Sequence, residues 1–360
     1  MEMIGELPVE KLRNVCDPMV IGCETSEEMK PLDIIIGQER AVRSLQFGLG
    51  IKELGFNIYV AGLPGTGRTT AVKRFLEEEA KDQPVPRDWC YVNNFRDPYR
   101  PKALSLPPGR AKELQTDMRG LVEGTRQEIR KAFESDEYAA RREETIKAFQ
   151  RQRDELFARI NERAQKEGFL IQATPIGLLT IPMVEGKPLS DEEFRALSPE
   201  ARKEISKKRE MLQVELKTAI RQARGLEKSA NEELQKLDRE VALYALGPLI
   251  EDLKEKYQDL PEVVAYLEEV REDILENLSQ FRAEPQAQPP FPLPGARELP
   301  FRKYEVNVLV DNSELEGAPV VMELNPTYNN LFGRIEKEAQ FGALVTDFTL
   351  IRPGSLHRAN

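Results

Sequence analysis

Histidine, tryptophan and cysteine are almost missing from this 360-residue chain, which has one, one and three of them. The single histidine, His357, cannot build a histidine-based metal cluster, and no Ser/His/Asp triad is evident around it, so it reads as a loop residue. Cys16, Cys23 and Cys90 are odd in number and lack any paired C-x-x-C spacing; thiols in a reducing cytoplasm account for them. Long apolar runs are absent as well. Nothing approaches the ~20 apolar residues of a membrane helix, and the most apolar stretch, residues 169–184, is broken by Gln172, Pro175, Gly177 and Pro182. The first residues have neither a basic start nor an apolar core, which excludes a secretory signal. Positive charge is outnumbered, 62 acidic against 52 basic residues, so general nucleic-acid binding is disfavoured although a local basic patch is not. The expectation is a soluble, cytoplasmic protein, long enough for two domains and 40% hydrophobic, which supplies a core.

The stretch that organises the rest is Ile58-Tyr59-Val60-Ala61-Gly62-Leu63-Pro64-Gly65-Thr66-Gly67-Arg68-Thr69-Thr70, an apolar strand, a glycine turn and the start of an amphipathic helix. It follows the phosphate-binding pattern G-x-x-x-x-G-K-[ST], with Gly62 and Gly67 at the glycine positions, Thr69 at the hydroxyl and Arg68 in place of the lysine. Glycines let backbone N–H groups curl around phosphate oxygens, and the helix start points its positive dipole end at the same place. The hydroxyl of Thr69 or Thr70 would ligate Mg²⁺ through the nucleotide. Arginine is planar and forked, so it grips phosphate without occupying the position of a compact ammonium. The nucleotide-binding residues are thus Gly62, Pro64, Gly65, Thr66, Gly67, Arg68, Thr69 and Thr70, for ATP or ADP with Mg²⁺, with hydrolysis in doubt. A glycine-rich turn without a ligand is the plain alternative.

Taken in order, residues 1–30 are an acidic lead-in and residues 31–110 carry the loop and a buried strand, Trp89-Cys90-Tyr91-Val92, with a domain boundary at Pro107-Pro108-Gly109. Residues 111–283 then read as an insertion of two long antiparallel helices. Ile146, Phe149, Leu156, Ile160 and Ala164 on one, and Ile205, Leu212, Leu216, Ala219, Ala223, Leu226, Ala230, Leu237, Val241 and Tyr244 on the other, form a coiled-coil seam. Pro261 starts a further helix carrying Val264, Leu267, Val270, Ile274 and Leu278. Residues 168–189 have β-branched residues and turn signals, which predicts a small hairpin at the tip of the arm. An apolar tip either contacts its own neighbours or catches something. If it catches unfolded polypeptide, Phe169, Leu178, Leu179 and Ile181 do so. Six prolines in residues 284–300 read as a stiff linker, and residues 301–360 return to the first domain through the strand Glu305-Val306-Asn307-Val308-Leu309-Val310-Asp311 and another at 344–351.

Asn325-Pro326-Thr327-Tyr328-Asn329-Asn330-Leu331-Phe332-Gly333-Arg334-Ile335-Glu336 is the stretch with the most specific resemblance. With Gly37-Gln38-Glu39-Arg40-Ala41, residues 62–70, 304–312 and 353–360, it resembles the Lon-like proteases, the Lon-related ATP-dependent proteases and the LonC type in particular. The resemblance implies an α/β P-loop NTPase (AAA+-like) core interrupted by the helical insertion, then a peptidase domain with a Ser/Lys dyad, in closed chambers of six subunits. In AAA+ ATPases a segment similar to Ile36-Gly37-Gln38-Glu39-Arg40-Ala41 packs beside the adenine. In the family the segment resembling Leu356-His357-Arg358-Ala359-Asn360 runs into the Walker B strand, so that strand, the sensors and the dyad are expected beyond residue 360, and this chain carries no catalytic residue. Family order also argues against Asp311 as the Walker B acid. LonC-type relatives have impaired nucleotide motifs and cleave unfolded substrates without ATP; Arg68 suggests the same here.

The expected function is therefore the substrate-capturing, ring-forming, nucleotide-binding-like part of a Lon-like serine endopeptidase that degrades unfolded proteins, hexameric as a full-length protein. Two competitors are a P-loop and coiled-coil ATPase acting on DNA, disfavoured by the acidic balance, and a nucleotide-sensing scaffold without chemistry.

Overall fold

Apolar spacing accounts for most of the elements in the computed structural model, which describes residues 8–13, 15–29, 38–51, 53, 55–174, 177–184, 187–282, 299–340 and 343–359. The segment before Gln38 that resembles the adenine-side motif and the proline-rich stretch 284–298 lie outside these residues. The chain forms two units, Met1–Asp82 and Gln83–Asn360.

In the first unit the lead-in holds a short helix α1 (Pro18–Ile21), whose N-cap Asp17 accepts a hydrogen bond from the Met19 amide at 2.9 Å. Two longer helices follow, α2 (Glu39–Gly50) and α3 (Arg68–Lys81). Gly48 packs so closely on Ile58 that a Cβ there would lie 2.8 Å from the Ile58 Cδ1. Residues 56–63 belong to no helix and no ladder among the described residues, and Ile58, Tyr59 and Val60 are 40%, 91% and 39% exposed. The buried strand expected ahead of the glycine loop is therefore not formed: an extended segment is buried only when neighbouring strands satisfy its backbone and cover its faces.

The second unit begins with a hairpin of β1 (Asp88–Val92) and β2 (Lys102–Leu106), in register from Asp88 opposite Leu106 to Val92 opposite Lys102. Its inward residues Asp88, Cys90, Val92, Leu104 and Leu106 are buried, the alternation of a sheet covered on one face. Helix α4 (Arg110–Glu134) covers them, with Ala111, Leu114, Met118, Leu121 and Ile129 turned inward at helical spacing. The boundary placed at Pro107-Pro108-Gly109 thus falls inside one packed body, since Leu104 and Leu106 before it share a core with Ala111 and Leu114 after it.

Ser135, extended at φ −69°, ψ 144°, ends α4 and caps α5 (Asp136–Lys166) through its hydroxyl, which accepts from the Tyr138 amide. Next come β3 (Phe169–Thr174), β4 (Gly177–Val184), β5 (Lys187–Pro188) and α6 (Asp191–Ala196), the last with a full capping box of Ser190 and Glu193. The chain returns through α7 (Pro199–Lys256), 58 residues or about 87 Å long at 1.5 Å per residue. Contacts of Arg163 with Glu215, Arg141 with Glu240 and Tyr138 with Asp238 show that α5 and α7 run antiparallel. The second half of α7 packs on α4 and on α8 (Pro261–Glu276), whose Val263, Tyr266, Leu267, Val270 and Ile274 complete the main core, followed by α9 (Leu278–Arg282).

From residue 299 the chain rejoins the sheet with β6 (Asn307–Val310), antiparallel to β1 on the side away from β2. The sheet β2-β1-β6 is therefore antiparallel throughout, and the glycine loop of the first unit is not one of its connections. The remaining elements are short: α10 (Tyr328–Phe332), β7 (Arg334–Ile335), β8 (Glu338–Gln340), β9 (Ala343–Val345), β10 (Ile351–Arg352) and α11 (Ser355–Arg358). The single strand expected over 344–351 is split by a 3-10 turn at Phe348–Leu350, where the Asp347 carboxylate accepts from the Thr349 amide at 2.8 Å.

Candidate functional site

The glycine loop of the first unit enters α3 through two glycines in the left-handed region. Gly65 and Gly67 sit at φ 81° and 74°, a region that disfavours side chains, and a Cβ at either would meet nothing within 4 Å. Gly67 caps α3 without a side-chain acceptor, which leaves the first amides of a 14-residue helix open toward an anion. The Thr66 hydroxyl is turned back to the Leu63 carbonyl at 2.8 Å, while Thr69 and Thr70 are exposed on the first turn. Arg68 is different. A Cβ on Gly62 would lie 3.0 Å from the Arg68 Cδ, so the arginine stem passes close to the start of the loop. The residues present suit a phosphate through backbone amides, and they lack the compact cation that reaches between two phosphates.

In the second unit the far end of the long helices carries the hairpin. Register sorts its residues by face: Phe169 opposite Pro182 and Ile171 opposite Thr180 share one side, Leu170 opposite Ile181 and Gln172 opposite Leu179 the other. Phe169 is buried at 1% exposure with Ala164 and Leu212, and Ile171 and Ile205 pack against them. It anchors the hairpin to its own helices, which removes it from the residues able to touch a partner. Leu178 falls on the same side as Ala173 and is half-buried. On the outer side, Leu179 is 49% exposed, with Leu170 and Ile181 partly covered beside it. Of the four tip residues named from the sequence, two thus share an outward apolar face, and Leu170 joins them.

The C-terminal segments contain a crossing that the sequence reading missed. A Cβ on Gly354 would run into the Leu331 carbonyl, and one on Gly333, at φ 83°, would run into the Arg352 carbonyl. Two backbones therefore pass in contact, and only glycine fits at both points. The Ser355 hydroxyl lies 2.7 Å from a Glu323 carboxylate oxygen and 3.1 Å from the Asn330 carbonyl, while Arg358 donates to it at 3.3 Å. The Glu323 carboxyl is held below the usual glutamate range, first by that hydroxyl and then by the Asn325 amide. Glu336 is lowered likewise, by Arg352 and Arg334, each at 2.8 Å. The readable signal was the pair of strings Leu331-Phe332-Gly333 and Pro353-Gly354-Ser355, in which a glycine follows bulky or rigid neighbours.

Two residues weighed for chemistry have structural roles. Asp311 forms an ion pair with Lys112 near the start of α4. His357 accepts the Gly354 amide on Nδ1 at 3.2 Å. It also lines, with Trp89, Tyr91, Ala103 and Leu309, a cavity of about 240 Å³ on the outer face of the sheet.

Among the described residues no helix is long and apolar enough to cross a membrane. Two family models match the chain: the Lon-like LonC helical domain over residues 88–121, and the LonB-like AAA domain over residues 316–360. The first spans β1, β2 and the start of α4; the second spans the glycine crossing and the Ser355 contacts. Neither stretch includes residues 62–70, and neither is a peptidase domain. No curated protein matches the chain.

Proposed function

We propose that this chain, a Lon-like protease family member, is the substrate-capturing and ring-forming part of a Lon-like serine protease, delivering unfolded protein to a Ser/Lys peptidase domain carried elsewhere in the full-length protein. What carries this reading is the outward face of the hairpin, where Leu170, Leu179 and Ile181 stand at the end of an arm that reaches about 45 Å beyond the main core, the span of residues 212–242 at 1.5 Å per residue. A short apolar face beside open strand backbone suits an extended chain with exposed side chains better than a folded partner.

The glycine loop would hold the phosphates of ATP or ADP through the amides of residues 65–70, with Thr69 toward Mg²⁺ when the nucleotide brings it. Arg68 supplies charge from a different position than a lysine, so we expect binding with little or no hydrolysis, and capture independent of ATP. The full-length protein is a homo-oligomer in this reading, with six subunits enclosing the peptidase sites.

Fluorescence anisotropy with labelled, reduced and carboxymethylated casein tests the capture step. The double variant Leu179→Asp, Ile181→Asp should bind roughly thirtyfold more weakly, the loss of two apolar contacts at about 1 kcal/mol each, and unchanged affinity would refute the assignment. Casein cleavage by the full-length protein with and without ATP tests the rest; cleavage that stops when ATP is removed would overturn the ATP-independent reading. Calorimetry with ADP decides whether the loop is occupied at all.

A further inference from the structure

Both rails of the arm lose helical hydrogen bonding close to one level, where Ser135 and Tyr244 line the same groove. On the first rail, Ser135 leaves helical geometry between α4 and α5. On the second, Pro248 sits inside α7; it has no N–H, so the Tyr244 carbonyl loses its helical partner. The apolar seam of α7 also slips between these points. It runs through Ala219, Ala223, Leu226, Ala230 and Leu237, then moves to Ala242, Leu246 and Ile250, which leaves Tyr244 87% exposed. The slip marks where α7 changes partner, from α5 alone to α4 and α8. Between the broken rails lies an open surface groove of about 530 Å³, lined by Ala132, Ser135, Tyr138, Val241 and Tyr244 among others.

A set of contacts bridges the same level from body to arm. Arg282, on α9, donates to the Asp238 carboxylate at 2.8 Å and lies over the Phe133 ring at 4.1 Å. Tyr138 donates to the other Asp238 oxygen at 2.7 Å and meets Phe133 edge-on at 4.8 Å. Arg239 reaches Glu272 on α8 at 2.7 Å. We propose that the arm is hinged where Ser135, the Tyr244 carbonyl freed by Pro248 and the seam slip meet, and that Arg282, Asp238, Tyr138, Arg239 and Glu272 form a latch that holds it in the direction seen here. The distal helices and hairpin then move as one body. A swing of 10° about this level displaces the hairpin by about 8 Å over a 45 Å lever.

Paired spin labels read this directly. Cys16 and Cys23 are replaced by serine; Cys90 is buried with its thiol pushed up to about 12 by that burial and by Asp88, so it does not react with the label. Labels at Lys207→Cys on the arm and Glu276→Cys on the body report the hinge. A second pair at Lys207→Cys and Gln150→Cys, both within the arm, reports its stiffness. The unaltered latch should give one narrow body-to-arm distance, and Arg282→Ala should broaden it or add a second population while the within-arm distance stays fixed. Adding Pro248→Ala, which restores the hydrogen bond to Tyr244, should narrow the distribution again. A body-to-arm distribution unchanged by Arg282→Ala and by Tyr138→Phe would overturn the proposal. So would equal broadening of both pairs, which is fraying along the whole arm. Helical circular dichroism confirms that each variant is folded before its distances are compared.

Discussion

The body of the second unit and its arm are built from the same helices and held in different ways. In the body, α7 is walled on several sides, and Ala242, Leu246 and Ile250 are fully buried beside Met118, Tyr266 and Val270. Along the arm α7 has one partner, and no residue is fully buried between Tyr138 and Ala164 on α5 or between Ala219 and Leu237 on α7. Two helices have only one shared stripe to hide, so each seam residue keeps an open flank. Stability is therefore concentrated in the body, and the arm persists because its helices are continuous with it.

The largest test of that contrast is a matched pair of truncations. Leu246→Ala in the body should cost about 2–5 kcal/mol, and Leu226→Ala in the arm about 1 kcal/mol, both read from urea denaturation; equal costs would erase the distinction. Next comes Asp88→Ala at the edge of the body. The buried Asp88 carboxylate accepts from the Ala111 amide at 3.2 Å and the Asn312 amide at 2.8 Å, so its removal orphans two buried donors and should lower stability by about 2–3 kcal/mol. A smaller effect follows from joining Tyr138 to Asp238 by a four-residue turn in place of the arm: the thermal midpoint of the body should move by a few degrees at most while casein binding disappears.

Acid should loosen the C-terminal segments before either region unfolds. Glu336 has a lowered folded value, so its contribution is complete above the ordinary glutamate range, about 4.3, and is lost as pH falls through the lower value. Amide exchange over residues 334–352 should rise only below about pH 4, and a rise near neutrality would exclude this cause. The smallest effect is expected on the arm surface, where Lys147→Ala, removing an exposed pair with Glu143 at 2.6 Å, should leave the melting temperature unchanged.

Periodic residues made much of this architecture legible. Trp89-Cys90-Tyr91-Val92 reads as a strand because it is a short apolar run between Pro86 and Asn93, its burial alternating because one face is covered, and the arm seam from Ile146 to Ala164 and from Ala219 to Leu237 is half-buried or buried as its spacing implies. Val241 is half-buried like the seam before it, and the seam fails at Tyr244, because a heptad reports a single partner and α7 acquires new ones at that height. The break at Ser135 was within reach: a serine followed by Asp136 and Glu137 is a helix start inside an apparently continuous run. Residues 58–60 show the opposite limit. Their apolar character predicts a strand, but pairing depends on neighbours that no local pattern names. Phe169 could not be told from Leu179 by composition, since only the hairpin register decides which of them faces the helices.

Asp88 ties together Ala111 and Asn312, two points about 200 residues apart in the chain, before and after the whole excursion. A protease that nicks the arm therefore leaves two fragments still clasped at their common root, and the nicked protein should elute as one species under native conditions and separate only in denaturant. The same clasp makes the chain divisible: two polypeptides meeting at the hairpin turn, expressed side by side, should reconstitute the body without a covalent link between them.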